Sequence, residues 1–272
     1  MPRLHKKNHF LAFLLVFIWS CTHAQTHSLE YVANMGVKLD MDGQSFLMDA
    51  LHDFYKEAYR YTPAETIDQW YAEEEFSAAL VSHAHGDHFD ERLSMEFLRN
   101  YQEGHLLGPT QLHDSLYLQG QVLSLKRRVH LISKASQPTT VWKNQGIEIT
   151  GIRIPHANRR HRRVQNIAWL VAGTTQRVLH LGDCEGDKAA FRNLANMLDG
   201  GPTPYIIAPY WLGLSAAGRD AMHQLIAAEQ GSSHWVFTHL PPQNFEEYVT
   251  SLQEFFPEAT IFTQPGQKIA LR

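Results

Sequence analysis

The sequence is poor in cysteine: Cys21 and Cys184 are the only two in 272 residues, which excludes a scaffold held together by disulfides. It has no Gly-x-Ser-x-Gly motif, so a serine nucleophile on a sharp strand-to-helix turn is not among the candidate chemistries. The apolar run Phe10–Trp19 has ten residues and is too short to span a bilayer in the mature protein. Low-complexity segments and linkers are also missing, which favours one domain.

The N-terminus has the pattern of an export signal. Three basic residues within the first seven positions precede the apolar run Phe10–Trp19, and small or polar residues follow it. We therefore expect residues 1–24 to be a signal peptide cleaved after Ala24, which makes the protein periplasmic or secreted. The alternative is a lipoprotein signal, because Ile18–Cys21 resembles a bacterial lipobox and would leave a lipid anchor on Cys21.

Net charge narrows the range of partners. Without residues 1–24 the chain has 21 basic and 28 acidic residues, a net charge of −7. An acidic chain is a poor candidate for broad binding to nucleic acid, and membrane binding is expected only if Cys21 is lipidated. Cys184 would be the one remaining cysteine, so the mature chain could form no internal disulfide. The composition does not indicate an oligomeric state.

The most informative stretch is Ser82–His88, which has the spacing His-x-His-x-Asp-His. Its potential ligands are His83, His85, Asp87 and His88. Imidazole nitrogens and carboxylate oxygens suit zinc or a similar divalent ion. An apolar run, 78–81, precedes the motif and predicts a buried strand, and a helical pattern begins near residue 90. The motif is therefore predicted to lie on a loop between a strand and a helix.

Other potential ligands follow predicted strands elsewhere in the chain. His156, Asp183 and His239 each come at the end of an apolar run with strand character, and Asp49 ends an earlier one. Strands and helices alternate throughout, which predicts a layered α/β domain. Strand ends at one edge of a sheet converge on one crevice, so we expect these side chains to meet the histidine motif. Taken singly, each of these residues has the alternative of a side chain that only forms hydrogen bonds with its neighbours.

With these residues in this order, the sequence resembles the metallo-β-lactamase-fold hydrolase superfamily, over about residues 29–272. The Gly182–Asp183 pair and the Pro209-Tyr210-Trp211 stretch look most like the branch of ascorbate-phosphate lactonase-like hydrolases. The resemblance implies a single αββα sandwich domain over 25–272, with two metal ions at one edge of the sheets. True β-lactamase activity is disfavoured, because those enzymes typically lack this full set of ligands.

The resemblance also implies how the ligands divide between two zinc ions, with manganese or iron as alternatives. The first metal would be held by His83, His85 and His156, the second by Asp87, His88 and His239, and Asp183 would bridge them. A bridging hydroxide would be the nucleophile, because metal binding lowers the pKa of water to about 7. Asp87 and Asp183 would then be catalytic. Asp49 is predicted to accept a hydrogen bond from the outer N–H of a ligand histidine, with a turn or capping role as the alternative.

Five further positions near the motif residues have weaker predictions. The basic cluster 159–163 follows His156, and Arg159 and Arg162 are the candidate contacts for an anionic substrate, against the alternative of an exposed loop. Tyr210 is a third candidate substrate contact, and its neighbour Trp211 is expected in the same wall or in ordinary packing. His180 is predicted to be a packed histidine outside the ligand set, because strand alternation points it away from Asp183.

These observations favour a dinuclear zinc-dependent hydrolase acting on a small ester, lactone or phosphoester. One alternative is a phosphodiesterase acting on nucleic acid, which the acidic charge disfavours. A second alternative is a non-catalytic metal-binding protein of the same fold. A third is an oxidoreductase with iron in the same site, although no flavin-binding module accompanies it. The expected partner is a small molecule, anionic if the basic cluster faces the site.

Overall fold

A computed structural model describes residues 27–116, 121–132, 137–228, 234–243 and 245–272. Within these ranges the strands form two seven-stranded sheets. In chain order the strands are β1 Ser28–Ala33, β2 Gly36–Met41, β3 Gln44–Met48, β4 Ala78–Leu80, β5 His105–Pro109, β6 Val129–Ile132, β7 Thr139–Asn144, β8 Ile147–Ile154, β9 Asn166–Ala172, β10 Arg177–His180, β11 Tyr205–Pro209, β12 His234–Thr238, β13 Thr260–Ile261 and β14 Lys268–Ala270. The first sheet has the order β14-β1-β2-β3-β4-β5-β6, and the second has the order β13-β12-β11-β10-β9-β8-β7.

The two sheets pack face to face, because alternate residues along their strands are apolar. Phe46 and Met48 of β3 and Trp169 of β9 belong to one buried cluster between the sheets. Leu47, which lies between the first two, belongs instead to the cluster under the outer helices of the first sheet. This two-residue period gives each sheet an inner and an outer apolar face.

The outer faces are covered by helices, which completes the predicted αββα sandwich. The helices are α1 Ala64–Glu73, α2 Glu91–Asn100, α3 Leu112–Ser115, α4 Leu123–Arg127, α5 Lys188–Leu198, α6 Tyr210–Leu214, α7 Ala216–Ala228 and α8 Phe245–Phe255. Helices α1 to α4 bury apolar residues with the first sheet, and α5 to α8 do so with the second. Asp90 caps α2 by accepting a hydrogen bond from the Leu93 amide at 2.8 Å, so the helix begins directly after the histidine motif.

Two local predictions from sequence differ from the structure. The alternation of apolar residues over 29–37 predicts one strand, but the structure divides this segment between β1 and β2 by a turn at Asn34, which has a positive φ of 52°. The stretch Thr62-Pro63-Ala64-Glu65 has the sequence of a helix capping box, but the Thr62 hydroxyl donates to the carbonyl of Ala50 at 2.7 Å. The sequence also predicts a turn at Asp42–Gly43 between two antiparallel strands, and the structure has this turn, with positive φ at both residues (49° and 76°).

Among the residues that the structure describes, no helix combines the length and apolar character needed to cross a membrane. The predicted signal peptide, including Cys21 and the cleavage point after Ala24, lies outside the described residues.

Candidate metal centre

The predicted ligands meet at one edge of the sandwich because the strands that carry them end there. Strands β3 and β4 are parallel neighbours, as are β10, β11 and β12, and β8 runs in the same direction as β10 through the antiparallel β9. Several strand-end residues have left-handed backbones, with φ of 47° at Asp49, 56° at Gly182 and 64° at His239. Gly182 is required there, since a Cβ atom would lie 2.4 Å from Oδ1 of Asn166.

Three histidines form the first potential metal group. Nε2 of His83 lies 3.0 Å from Nδ1 of His85 and 3.2 Å from Nε2 of His156. Two nitrogens bound tetrahedrally to zinc at 2.0–2.1 Å would be about 3.3 Å apart. Both distances from His83 are therefore close to the spacing of zinc ligands, and the ligand atoms of all three histidines lie within 4.8 Å of one another.

The tautomers of these histidines fit the same role. The Ser82 hydroxyl donates its one proton to Asp49, so it must accept from Nδ1 of His83 (2.9 Å). Nδ1 of His156 donates to the carbonyl of Ala157 at 2.6 Å. Both Nε2 atoms consequently present lone pairs to each other, an arrangement that a cation between them would stabilise.

The second potential group contains Asp87, His88, Asp183 and His239. Nε2 of His88 lies 3.5 Å from Oδ2 of Asp87 and 3.2 Å from Oδ1 of Asp183. Nε2 of His239 lies 3.4 Å from the same two oxygens. Nε2 of His88 and Oδ1 of Asp183 are buried and have no hydrogen-bond partner within the described part of the chain. Buried atoms of this kind are costly unless a ligand satisfies them, so the group fits a divalent cation.

Asp183 lies between the two groups. Its Oδ1 faces His88 and His239, whereas its Oδ2 lies 3.9 Å from Nε2 of His156. The carboxylate is therefore placed to contact both groups at once, as the resemblance implied for a bridging ligand.

Asp49 holds the histidine motif from behind. Its carboxylate accepts hydrogen bonds from the Ser82 amide at 2.6 Å, the Ser82 hydroxyl at 2.5 Å and Nδ1 of His88 at 2.8 Å. Asp49, His83 and His88 also have ligand atoms close enough for a third metal group. However, the oxygens of Asp49 are already used by Ser82 and His88, which is the arrangement predicted for an aspartate that orients a ligand histidine.

The electrostatics of the two groups differ. Burial, together with the neighbouring histidines, lowers the pKa of His85 to about 4 and that of His83 well below its usual value. Burial opposes charge on His239 as well, but the carboxylates of Asp183 and Asp87 raise its pKa to about 9. The first group is thus a set of neutral nitrogen ligands, and the second holds compensated charge.

One contact of this centre was not predicted from sequence. Asn34, in the turn between β1 and β2, donates from Nδ2 to Oδ2 of Asp87 at 3.0 Å and to the Asp87 carbonyl at 3.1 Å. The same atom lies 3.2 Å from Nε2 of His239, and the Asn34 carbonyl accepts from the His239 amide at 2.9 Å. Its sequence signal was modest: an asparagine two residues before Gly36 favours a left-handed turn inside an apolar run.

The metal-facing side chains form the floor of a cavity of about 410 Å³. Its walls come from the segments 55–59 and 157–161 and from Tyr210, Trp211 and Pro241. Tyr210 and Trp211 therefore both line the cavity. Arg159 and Arg162 line a smaller recess beside Glu185, and the arginine on the cavity wall is Arg160.

His180 and Cys184 lie near the centre but outside both groups. His180 is fully buried, and its Nε2 is 3.1 Å from the carbonyl of Met35, in agreement with a packed histidine. Cys184 is also fully buried, and burial raises the pKa of its thiol well above the usual value. Its carbonyl accepts a hydrogen bond from Nε1 of Trp211 at 3.1 Å.

A match to a known family model shows the family to which the chain belongs. The family model described as "beta-lactamase superfamily domain" matches residues 44–200, more than half of the chain. This protein belongs to the beta-lactamase superfamily. The match begins with β3 and includes the histidine motif, His156 and Asp183, so the resemblance derived from those residues is confirmed. No curated protein sequence matches the chain with statistical support.

Several solved structures share the fold of this chain. A possible metal-dependent hydrolase from Veillonella parvula DSM 2008 is similar at a TM-score of 0.64 and 13% identity, over 91% of this chain and 100% of that one. Igni18, a novel metallo hydrolase from Ignicoccus hospitalis KIN4/I, gives 0.60 and 16%, over 91% and 99%. CmlA, a diiron β-hydroxylase from Streptomyces venezuelae, gives 0.53 and 17%, over 91% and 54%.

Proposed function

We propose that this superfamily member is a dinuclear metal-dependent hydrolase acting on a small ester, lactone or phosphoester. The observation that carries the proposal is the position of Asp183, whose two oxygens face different ligand groups. A single-metal protein would not need one carboxylate between two complete sets of ligands. His83, His85 and His156 would hold one cation, and Asp87, His88 and His239 the other.

Each part of the centre has a distinct role in this proposal. Two divalent cations bound here would polarise the substrate and supply hydroxide near neutral pH. The chain itself orients the ligands: Asp49 holds His88, Ser82 holds His83, and Asn34 holds Asp87. No serine or cysteine nucleophile is needed in this proposal, and the buried thiol of Cys184 has no catalytic role in it.

The cavity supports a small-molecule substrate. Its volume of about 410 Å³ falls within the range of small-molecule sites. Tyr59 and Trp211 close against the ring of His239, at centroid distances of 5.8 and 4.9 Å. The net charge of −7 expected without residues 1–24 disfavours binding to a polyanion, so we propose no nucleic-acid partner.

Zinc is the proposed metal, with manganese and iron as the alternatives to be tested. CmlA shares the fold and is described as a diiron β-hydroxylase. Metal identity is therefore a measured variable, and iron with oxidase or hydroxylase turnover would favour the oxidoreductase alternative.

The proposal is tested with protein purified with its native metal and then loaded with zinc, manganese or iron. Metal analysis should give about two ions per chain, and a panel of esters, lactones and phosphodiesters should contain substrates. Asp87→Ala and Asp183→Ala should abolish hydrolysis while leaving the circular dichroism spectrum unchanged. Two bound metals without turnover of any class would support the non-catalytic alternative and contradict the proposed function.

We also propose export, from the sequence pattern of residues 1–24. Cell fractionation with N-terminal sequencing tests it: a mature chain beginning at Gln25 supports signal cleavage, and palmitate labelling that depends on Cys21 supports the lipoprotein alternative. Full-length protein confined to the cytosol would contradict both.

A further inference from the structure

The charged residues on the cavity wall are of one sign once the metal-facing groups are set aside. The two acidic residues of the lining, Asp87 and Asp183, both belong to the second ligand group. The remaining charged lining residues are Lys56, on the segment 55–59, and Arg160, on the segment 157–161. In a chain with more acidic than basic residues, two cations at the mouth of the centre are a specific feature.

Neither cation is neutralised by a carboxylate among the described residues, and each is held by a neighbour on its own wall. Nζ of Lys56 donates to the Tyr55 hydroxyl at 3.0 Å and lies 4.3 Å from the centroid of that ring. Nε of Arg160 donates to Nε2 of His161 at 2.9 Å. Most N–H donors of both groups therefore remain available to a ligand.

Two lysines elsewhere in the chain differ from this pair, because each forms an ion pair with a carboxylate. Lys143 forms an ion pair with Glu148 at 2.7 Å, and Lys188 forms one with Asp220 at 3.0 Å. Arg159, next to Arg160 in sequence, lines the recess that contains Glu185.

The wall that carries Lys56 is fixed against the histidine motif, although it contains no helix or strand. The ring of Tyr55 lies over Gly86, where a Cβ atom would approach its Cδ2 to 2.5 Å. At the far end of the segment, Tyr59 packs against the ring of His239. The loop closes at its base, because the Thr62 amide donates to the His52 carbonyl at 3.3 Å. The segment that carries Lys56 is thus anchored beside the metal groups through Tyr55 and Tyr59.

We propose that Lys56 and Arg160 bind an anionic group, a carboxylate or a phosphate, carried by the substrate away from the bond that is hydrolysed. This inference rests on the proposed hydrolase function and defines its substrate class as small anionic esters and lactones. Tyr55, Tyr59 and Tyr210 would contact the carbon skeleton between the two ends. Charge-assisted hydrogen bonds to carboxylate or phosphate are the strongest available to these side chains.

Three p-nitrophenyl esters with matched acyl chains test the proposal on the metal-loaded protein. Mono-p-nitrophenyl succinate has a distal carboxylate, p-nitrophenyl 3-phosphonopropanoate has a distal phosphonate, and methyl p-nitrophenyl succinate is neutral. Lys56→Gln and Arg160→Gln should each raise KM for one or both anionic esters by about tenfold, with KM for the neutral ester within about twofold of wild type. The arm that responds more strongly distinguishes carboxylate from phosphate recognition.

Arg163→Gln is the matched control, because it removes the same charge from the same basic segment at an exposed position outside the cavity lining. It should leave all three esters unchanged. An equal loss on neutral and anionic esters, or no loss on the anionic ones, would overturn the proposal while leaving the hydrolase function standing.

Binding of the amide analogue N-phenylsuccinamate, measured by calorimetry, separates the two proposals. If wild type binds it and both Gln variants bind it about tenfold more weakly, the anion site stands even when no ester is hydrolysed. If hydrolysis is observed but the variants match wild type both in KM for the two anionic esters and in binding of the analogue, the anion site is wrong.

Discussion

Asn34 Nδ2 lies 3.0 Å from Oδ2 of Asp87, and this hydrogen bond joins the turn between β1 and β2 to the centre of the candidate metal site. Asn34 also accepts the backbone N–H of His239 through its carbonyl. One residue outside the ligand set therefore orients two predicted ligands of the second metal.

Removal of the Asn34 side chain should weaken the second metal more than the first. Asn34→Gly keeps the left-handed backbone, since φ is 52°, and deletes the amide that holds Asp87. Loss of a hydrogen bond that orients a metal ligand typically costs about 10- to 100-fold in metal affinity or activity. Competition with a zinc indicator should show one site weakened to that extent and the other retained. Equal weakening of both sites would mean that Asn34 acts on the whole fold.

Gly86 is predicted to be required by Tyr55. A Cβ at position 86 would lie 2.5 Å from Cδ2 of that ring, so Gly86→Ala should displace the wall that carries Lys56. We expect KM to rise about tenfold or more, with metal content near that of wild type. The control is the same substitution in a Tyr55→Ala background, where the clash is absent. If Gly86→Ala is equally harmful there, steric conflict with Tyr55 is not the cause.

Metal removal should lower thermal stability, because a ligand bound only by the folded state stabilises it. Free metal at about 100 times its Kd contributes about 2.7 kcal/mol, which corresponds to roughly 5–10 °C in Tm for a domain of this size. Differential scanning calorimetry with and without a chelator measures the shift, and added zinc should reverse it. An unchanged Tm would indicate that the buried carboxylates and histidines need no cation.

The histidine pair His105 and His130, on the neighbouring strands β5 and β6, should make the stability of the fold depend on pH. Their ring nitrogens are 2.9 Å apart, and burial lowers the pKa of both, with the charge of His130 lowering that of His105 further. Below the unfolded-state pKa of about 6.5 the unfolded chain takes up protons that the folded chain does not. The stability that the neutral pair contributes is therefore fully present above about pH 6.5, and it is lost as the pH falls below that value.

His130→Gln should reduce that loss. Urea unfolding at pH 7.5 and pH 5.5 should show a smaller drop in the free energy of unfolding for the variant than for wild type. His113→Gln, at an exposed histidine, serves as the control and should keep the wild-type drop. A variant with an undiminished drop would assign the acid sensitivity to other buried groups.

The fold and the convergence of the candidate ligands could be predicted from sequence, because both follow from short-range rules. Four ligands in six residues mark the motif, and a polar residue after an apolar strand predicts convergence at a sheet edge. The role of Asn34 was not predicted, because the nine residues 29–37 are interpreted as one strand unless the turn inside them is recognised. Strand β14 was not predicted either, because three residues give little sequence signal and its pairing with β1 joins distant parts of the chain.

The wall contacts were harder to predict, because they depend on side-chain direction. In the short 3₁₀ turn Arg159–His161, residues three apart share a face. Arg159 and Arg162 accordingly face the same recess, and Arg160 faces the cavity. Charge alone cannot distinguish neighbouring arginines. Lys56 lies in a loop without periodicity, so its position depends on the contact between Tyr55 and Gly86.

The central claim is that two metal ions share Asp183, and anomalous diffraction from crystals of the metal-loaded protein tests it most directly. We predict two anomalous peaks, one among His83, His85 and His156 and one among Asp87, His88 and His239, with a carboxylate oxygen of Asp183 beside each. A single peak, or a peak bound by Asp49 in place of Asp183, would contradict the account.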